Sequence, residues 1–116
     1  MILNHINLGV TEIAPTVAMF ETHFGLRPMG LPIDDRMAFL RDDAGAVVSL
    51  FRVKDAVYPK IFHIGFIRER VDQVLALHEA LTAGGFEPET PREEHGRFTF
   101  YFKAPGGFTV EVNAFV

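Results

Sequence analysis

The chain of 116 residues contains no cysteine and no tryptophan. Without cysteine it can form no disulfide, present no thiolate nucleophile and build no cysteine-type zinc site. Any bound metal must therefore be held by His, Asp or Glu side chains. The large aromatic groups are instead twelve Phe residues, which predict a core filled mainly by phenyl rings.

Positive charge and long apolar runs are also scarce. The formal net charge of −4 gives no basic footprint for nucleic acid. No segment approaches the roughly 18 apolar residues of a membrane-spanning helix. The first residues, from Met1 to His5, have neither a basic region nor the pattern of a signal peptide. We therefore expect a cytoplasmic protein with no nucleic-acid partner and no membrane partner.

A His-centred strand pattern occurs twice. Residues 4–10 read NHINLGV, and residues 62–68 read FHIGFIR, with the two histidines 58 residues apart. Each pattern precedes a helical stretch and then short strands, as expected for a duplicated supersecondary unit. The sequence thus predicts one domain, 1–116, made of βαβββ modules at about 1–54 and 60–116. The fold class is α+β, with mixed sheets and helices packed on one face.

Hydrophobic alternation and turn residues place the individual elements. The first predicted helix is capped by Thr11 and stopped by Gly25, and the second spans about 70–83. The predicted strands cover, in chain order, about 2–10, 27–32, 35–41, 46–53, 60–68, 86–89, 97–103 and 107–115.

Strand parity places three possible metal ligands on corresponding faces. Side chains alternate between the two faces of a strand, and His5, His63 and Glu111 each lie on the more polar face of their strand. We expect that face to be wet and to line a cleft. A single His or Glu on a strand is usually only a solvated or hydrogen-bonded residue, but three that agree by repeat and parity indicate a metal site.

Four stretches resemble the vicinal oxygen chelate superfamily, which includes glyoxalase I, fosfomycin-resistance enzymes, extradiol dioxygenases and bleomycin-resistance proteins. They are residues 4–6, 24–28, 62–66 and 100–112. The last departs from the family pattern at Ala104, where an Asp is usual before the Pro. The resemblance implies paired βαβββ modules that form a cupped mixed sheet, with helices outside, a divalent metal on the concave side, and a homodimer.

The resemblance also implies a ligand set. His5, His63 and Glu111 match positions where the family has metal ligands, and the internal repeat aligns Ser49 with Glu111 at the place of a fourth. Because neutral serine is a poor ligand, the implied first shell has two imidazoles, one carboxylate and open positions. Such a set is typical of non-haem Fe(II) sites and also suits Mn(II), with Zn(II) or Ni(II) as alternatives.

Two further residues are candidates for catalysis. Tyr101 shares the cleft parity and precedes Glu111 by ten residues, a spacing that resembles the active-site Tyr of extradiol dioxygenases; a role in the core is the alternative. His95 could exchange a proton near neutral pH, but it follows a charged stretch and could equally be a solvated loop residue. Phe39 and Phe51 could form an apolar pocket wall.

These observations predict a metal-dependent enzyme that acts on a small substrate with vicinal oxygens. The resemblance is nearest to a non-haem Fe(II) or Mn(II) dioxygenase. A glyoxalase-like isomerase or lyase is the second interpretation, and a fosfomycin-type thiol transferase is the third. A non-catalytic protein of the bleomycin-resistance type, which binds an antibiotic or another small ligand, is the alternative from a different class.

Overall fold

The computed structural model of the protein describes all residues, Met1–Val116. Its elements follow the order βαβββ twice, which confirms the predicted α+β fold. They are β1 (His5–Val10), α1 (Ile13–Phe24), β2 (Arg27–Pro28), β3 (Met37–Arg41), β4 (Val47–Arg52), β5 (His63–Ile67), α2 (Val71–Ala83), β6 (Arg92–Glu94), β7 (Arg97–Lys103) and β8 (Thr109–Phe115). Neither helix is long and apolar enough to cross a membrane.

The chain divides into two compact units. Unit 1 comprises Met1–Val57 with Pro105–Gly107, and unit 2 comprises Tyr58–Ala104 with Phe108–Val116. These units follow the predicted modules closely, apart from the three residues of the β7–β8 turn. That the two units work as one domain stays a prediction.

Unit 1 contains a four-stranded mixed sheet in the order β1-β4-β3-β2, in which only β1 and β4 are parallel. Alternate side chains of β1, such as Leu8 and Val10, are fully buried. Helix α1 ends at Gly25, whose φ of +68° provides the left-handed conformation of a helix C-terminus. The predicted cap at Thr11 is wrong: the N-cap is Glu12, and no side chain caps this end.

Unit 2 repeats this sheet as β5-β8-β7-β6, with β5 and β8 parallel. Helix α2 packs against β7 and β8. The face of β7 and β8 that carries even-numbered residues is almost completely buried and rich in phenyl rings; its members are Phe100, Phe102, Val110, Val112 and Ala114. The odd-numbered face is left to carry the polar residues.

Prolines explain two of the differences from the predicted strands. No strand forms at 86–89, and β6 begins only at Arg92. Pro88 and Pro91 lack the amide hydrogen that a sheet ladder requires. Similarly, β2 is limited to Arg27–Pro28 in a segment that also contains Pro32. The first strand begins at His5 rather than at residue 2.

The strand registers show that the duplication is structural. His5 is opposite Val47 and His63 is opposite Thr109, so the two histidines begin equivalent parallel pairs. Two positions further on, Asn7 is opposite Ser49 and Gly65 is opposite Glu111. The registers therefore confirm that Ser49 and Glu111 occupy equivalent places in the two sheets.

Candidate metal centre in unit 2

Glu111 lies in the middle of β8 and is buried, with 8% of its surface exposed. Asn113, two residues along on the same face, is 5% exposed. The expectation of a wet polar face is therefore wrong at these two positions. Burial of a carboxylate costs free energy unless other groups compensate for its lost hydration. Its neighbours in the sheet are chemically suited to do so.

The first neighbour is His63, the first residue of β5. Its Nε2 lies 3.2 Å from Glu111 Oε1, and its Nδ1 lies 3.0 Å from the carbonyl oxygen of Ile61. A carbonyl oxygen can only accept, so Nδ1 carries a proton and donates it there. In the neutral imidazole, Nε2 then directs its lone pair at the carboxylate. Gly65, opposite Glu111, adds no side chain to this space.

The second neighbour is Thr99 on β7, which is 2% exposed. Its hydroxyl donates to Glu111 Oε2 at 2.7 Å. Sequence reasoning missed this residue, although Thr99 has the same strand parity as Tyr101. The two oxygens of Glu111 therefore have different partners, His63 at one and Thr99 at the other.

Tyr101 is placed directly opposite Glu111 in the β7–β8 register. Its ring packs edge-to-face on the imidazole of His63, with centroids 5.4 Å apart, and the guanidinium of Arg92 lies 5.6 Å from its centroid. Burial raises the pKa of the Tyr101 phenol above its ordinary value, and the charges of Glu111 and Glu94 raise it further. Tyr101 is thus a neutral hydrogen-bond donor at physiological pH.

The structure does not bring His95 to this group. His95 and Gly96 form the two-residue turn between β6 and β7, with φ values of +51° and +76°. The His95 side chain is 89% exposed and lies 3.5 Å from Glu94. Four strand residues separate the turn from Tyr101, so His95 lies six positions away along the strand, roughly 20 Å. Such a turn requires positive φ values, which His95 and Gly96 both have. His95 is therefore explained as a turn residue.

Asn113 adds an unusual feature to the same face. Its Oδ1 is buried and has no hydrogen-bond partner. Such an orphaned acceptor is uncommon in folded proteins because it loses hydration without replacement. Sequence reasoning assigned Asn113 no role.

A family model identifies the chain. The model of the glyoxalase/bleomycin resistance protein/dioxygenase superfamily matches residues 2–112. The chain belongs to this superfamily. Members bind small molecules, generally use divalent metals and often form dimers. No curated protein matches the chain.

Solved structures agree with this assignment to the glyoxalase superfamily. A possible glyoxalase from Bacillus cereus is 38% identical over 97% of both chains, with a TM-score of 0.88. The fosfomycin resistance protein FosX from Listeria monocytogenes is 21% identical over 100% of this chain and 94% of its own, with a TM-score of 0.85. Lactoylglutathione lyase from Agrobacterium tumefaciens is 17% identical over 97% and 92%, with a TM-score of 0.78. The last two show a shared fold.

The donor atoms of unit 2 fit a divalent ion. Adjacent ligands that are each about 2.1 Å from an ion lie roughly 3 Å apart, close to the 3.2 Å between His63 Nε2 and Glu111 Oε1. A metal-bound imidazole normally donates its other N–H to an oxygen, as His63 does. In unit 1, His5 has the same arrangement, because its Nδ1 lies 2.7 Å from Asn4 Oδ1. No group of three or more His, Asp or Glu side chains is assembled for a metal.

Proposed function

We propose that this member of the glyoxalase superfamily is a divalent-metal-dependent enzyme that acts on a small substrate with two adjacent oxygen atoms. The observation that carries the proposal is the facing pair of His63 Nε2 and Glu111 Oε1, 3.2 Å apart. Two lone-pair atoms at this distance repel each other unless a proton or a cation lies with them. A divalent ion bound by both atoms would remove this repulsion.

The proposed ligands are His63, Glu111 and His5. His5 is supported by its equivalence to His63 in the repeat and by its oriented imidazole. Ser49, at the place equivalent to Glu111, would leave a position open. Fe(II) or Mn(II) suits two imidazoles and one carboxylate. Such an ion would hold both substrate oxygens and lower the pKa of a substrate hydroxyl.

The proposed role of Tyr101 is to donate a hydrogen bond to a substrate oxygen as negative charge develops there. Its edge-to-face contact with His63 holds the phenol beside the ligand pair, and its raised pKa keeps the proton on the phenol. We assign this role to Tyr101 and not to His95, because His95 is exposed in a turn roughly 20 Å away along β7.

Two reactions are compatible with this arrangement. Dioxygenase chemistry is the leading candidate, because an open ligand set accepts both a two-oxygen substrate and O2. Glyoxalase-like isomerase or lyase chemistry is the second candidate, favoured by the 38% identity to the possible glyoxalase from Bacillus cereus. The metal distinguishes them: Fe or Mn favours oxygenation, and Zn or Ni favours isomerisation.

The first test is metal content by mass spectrometry, on protein purified without chelator or metal-affinity resin. We expect about one Fe or Mn ion per chain in the wild type. Glu111→Gln, His63→Ala and His5→Ala should each lose it, because each removes a proposed ligand. His95→Ala is the matched histidine control and should keep it. Oxygen uptake with catechols, or isomerisation of a hemithioacetal, then separates the two reactions.

Three outcomes would contradict the proposal. Unchanged occupancy in Glu111→Gln would reject the ligand pair, and unchanged occupancy in His5→Ala would reject the third ligand. A wild type that neither contains metal nor takes it up on titration would favour a small-ligand binding protein of the bleomycin-resistance type.

We also propose that the chain forms a homodimer, as members of the superfamily often do. Strands β1 and β5 are at the edges of their sheets, and exposed sheet edges are usually covered or paired. Light scattering at micromolar concentration should report twice the chain mass of 13.0 kDa. A monomer at that concentration would reject the proposal.

A further inference from the structure

We propose that Thr99 is a positioning residue, which holds the Glu111 carboxylate so that only Oε1 is presented to a metal ion. This inference rests on the proposed function. It concerns a residue outside the ligand set, and it follows from how the two oxygens of a buried carboxylate are shared between neighbours.

The Thr99 hydroxyl has one proton and two acceptors within reach. Glu111 Oε2 lies at 2.7 Å, and the carbonyl oxygen of Val112 lies at 3.2 Å. A charged acceptor forms the shorter and stronger bond, so the proton is donated to Glu111. Because Thr99 is 2% exposed, water is poorly placed to replace this donor.

This bond leaves the two oxygens of the carboxylate with different partners. Oε2 accepts from Thr99, and Oε1 faces the Nε2 atom of His63. An ion bound at the ligand pair would then be held through one oxygen of Glu111 rather than two. The coordination position that a second oxygen would occupy stays free, which is what a substrate that binds through two adjacent oxygens requires.

The equivalent place in unit 1 agrees with this interpretation. Ser49 is equivalent to Glu111, and the register places Met37 opposite Phe51 just as it places Thr99 opposite Asn113. The unit that lacks the carboxylate therefore also lacks the hydroxyl. If Thr99 were needed only for sheet packing, its presence would not be expected to depend on a carboxylate in the same unit.

The test compares three substitutions. Thr99→Val removes the donor and nearly preserves the shape, whereas Thr99→Ser keeps the donor. Thr16→Val is the matched control, because Thr16 is also fully buried and donates at 2.7 Å, to the carbonyl oxygen of Glu12 in unit 1. It should lower stability without affecting the metal site.

The primary measurement is the Kd for Mn(II), determined by competition with a chromogenic chelator. Loss of a partner of this kind typically weakens metal binding on the order of 10- to 100-fold, and we expect this for Thr99→Val. The Kd of Thr99→Ser should lie within roughly threefold of the wild-type Kd, and the Kd of Thr16→Val should equal the wild-type value. The visible spectrum of the Co(II)-loaded protein should change in Thr99→Val alone, because it reports the number of ligand atoms.

Failure of the inference can be told apart from failure of the proposed function. If the wild type binds Mn(II) and Thr99→Val binds it equally well with the same Co(II) spectrum, the positioning role is wrong. If the wild type binds no metal, the proposed function is wrong. In that case the ¹⁵N chemical shifts of the His63 imidazole, measured at one fixed pH, test the positioning role separately. A change in Thr99→Val but not in Thr16→Val would support the role of Thr99, and no change in Thr99→Val would reject it.

Discussion

The two sheets have the same topology but opposite chemistry at equivalent positions. Unit 2 carries polar groups at these positions, whereas unit 1 carries mainly apolar groups. The equivalent pairs are Glu111 and Ser49, Thr99 and Met37, Tyr101 and Phe39, and Asn113 and Phe51. The comparison teaches that duplication supplied two copies of a scaffold, while the chemistry of a site was concentrated in one of them. Fold and function are separable in this way because function depends on the residues of the site.

The difference has a physical explanation in the cost of a buried charge. Glu111 accepts a hydrogen bond from Thr99 and faces His63, with which it could share a cation. In unit 1, the rings of Phe39 and Phe51 pack edge-to-face with centroids 5.9 Å apart. Neither ring can donate a hydrogen bond to a carboxylate. The residues at these positions therefore suit one another within each unit. Exchanging single residues between the units should lower the free energy of unfolding.

The largest effect is expected from copying the carboxylate alone into unit 1. Ser49 is 4% exposed, so Ser49→Glu would bury a charge without the hydroxyl that compensates Glu111. For metal-free protein we expect a loss of about 3 kcal/mol in the free energy of unfolding, as for other uncompensated buried charges. A bound ion would reduce this loss, because position 49 is the place of a possible fourth ligand. Urea denaturation followed by circular dichroism measures it.

The double variant Ser49→Glu, Met37→Thr sharpens this result. If a neighbouring hydroxyl is what stabilises the carboxylate in unit 2, the second substitution should recover about 1 kcal/mol. Met37→Thr alone is the matched control and should be slightly destabilising, because it removes apolar contacts. Additive losses in the double variant would show that the hydroxyl does not explain the difference between the units.

The turns before β4 and β8 provide a second comparison. Gly45 and Gly106 both have a φ of +91°. A Cβ at Gly45 would meet nothing, whereas a Cβ at Gly106 would lie 2.7 Å from Val10 Cβ. Gly45→Ala should therefore cost only the strain of a positive φ, about 1 kcal/mol, and Gly106→Ala should cost about 2 kcal/mol more. Thermal unfolding of both variants checks this, and equal losses would show that the contact relaxes freely.

Local patterns in the sequence predicted much of this structure. Alternation along a strand is a local property, so the parity of His63, Tyr101 and Glu111 predicted that they share a face, and the structure places them together. The proline residues at 88 and 91 also carried a local signal, and giving them more weight would have removed the predicted strand at 86–89. The adjacent His95 and Gly96 similarly form a short hairpin turn.

The features that depend on register were not predictable in the same way. The bond from Thr99 to Glu111 runs diagonally between strands, so it depends on Thr99 being paired with Asn113 rather than with Glu111. Parity alone cannot give that offset. The burial of Glu111 and Asn113 was missed for a related reason, since alternation distinguishes two faces but does not say what covers each face.

Asn113 offers the smallest effect and the most direct comparison with unit 1, where the equivalent residue is Phe51. Its Oδ1 is buried without a partner, so Asn113→Leu should remove a desolvation cost and raise the free energy of unfolding by about 1 kcal/mol. Thermal unfolding measures it, and Asn7→Leu at an exposed position of β1 is the control, with no gain expected. A gain in stability at Asn113 together with weaker binding of a catechol would mean that unit 2 keeps an unfavourable polar group for its ligand, whereas no gain would mean that the orphaned oxygen costs the fold nothing.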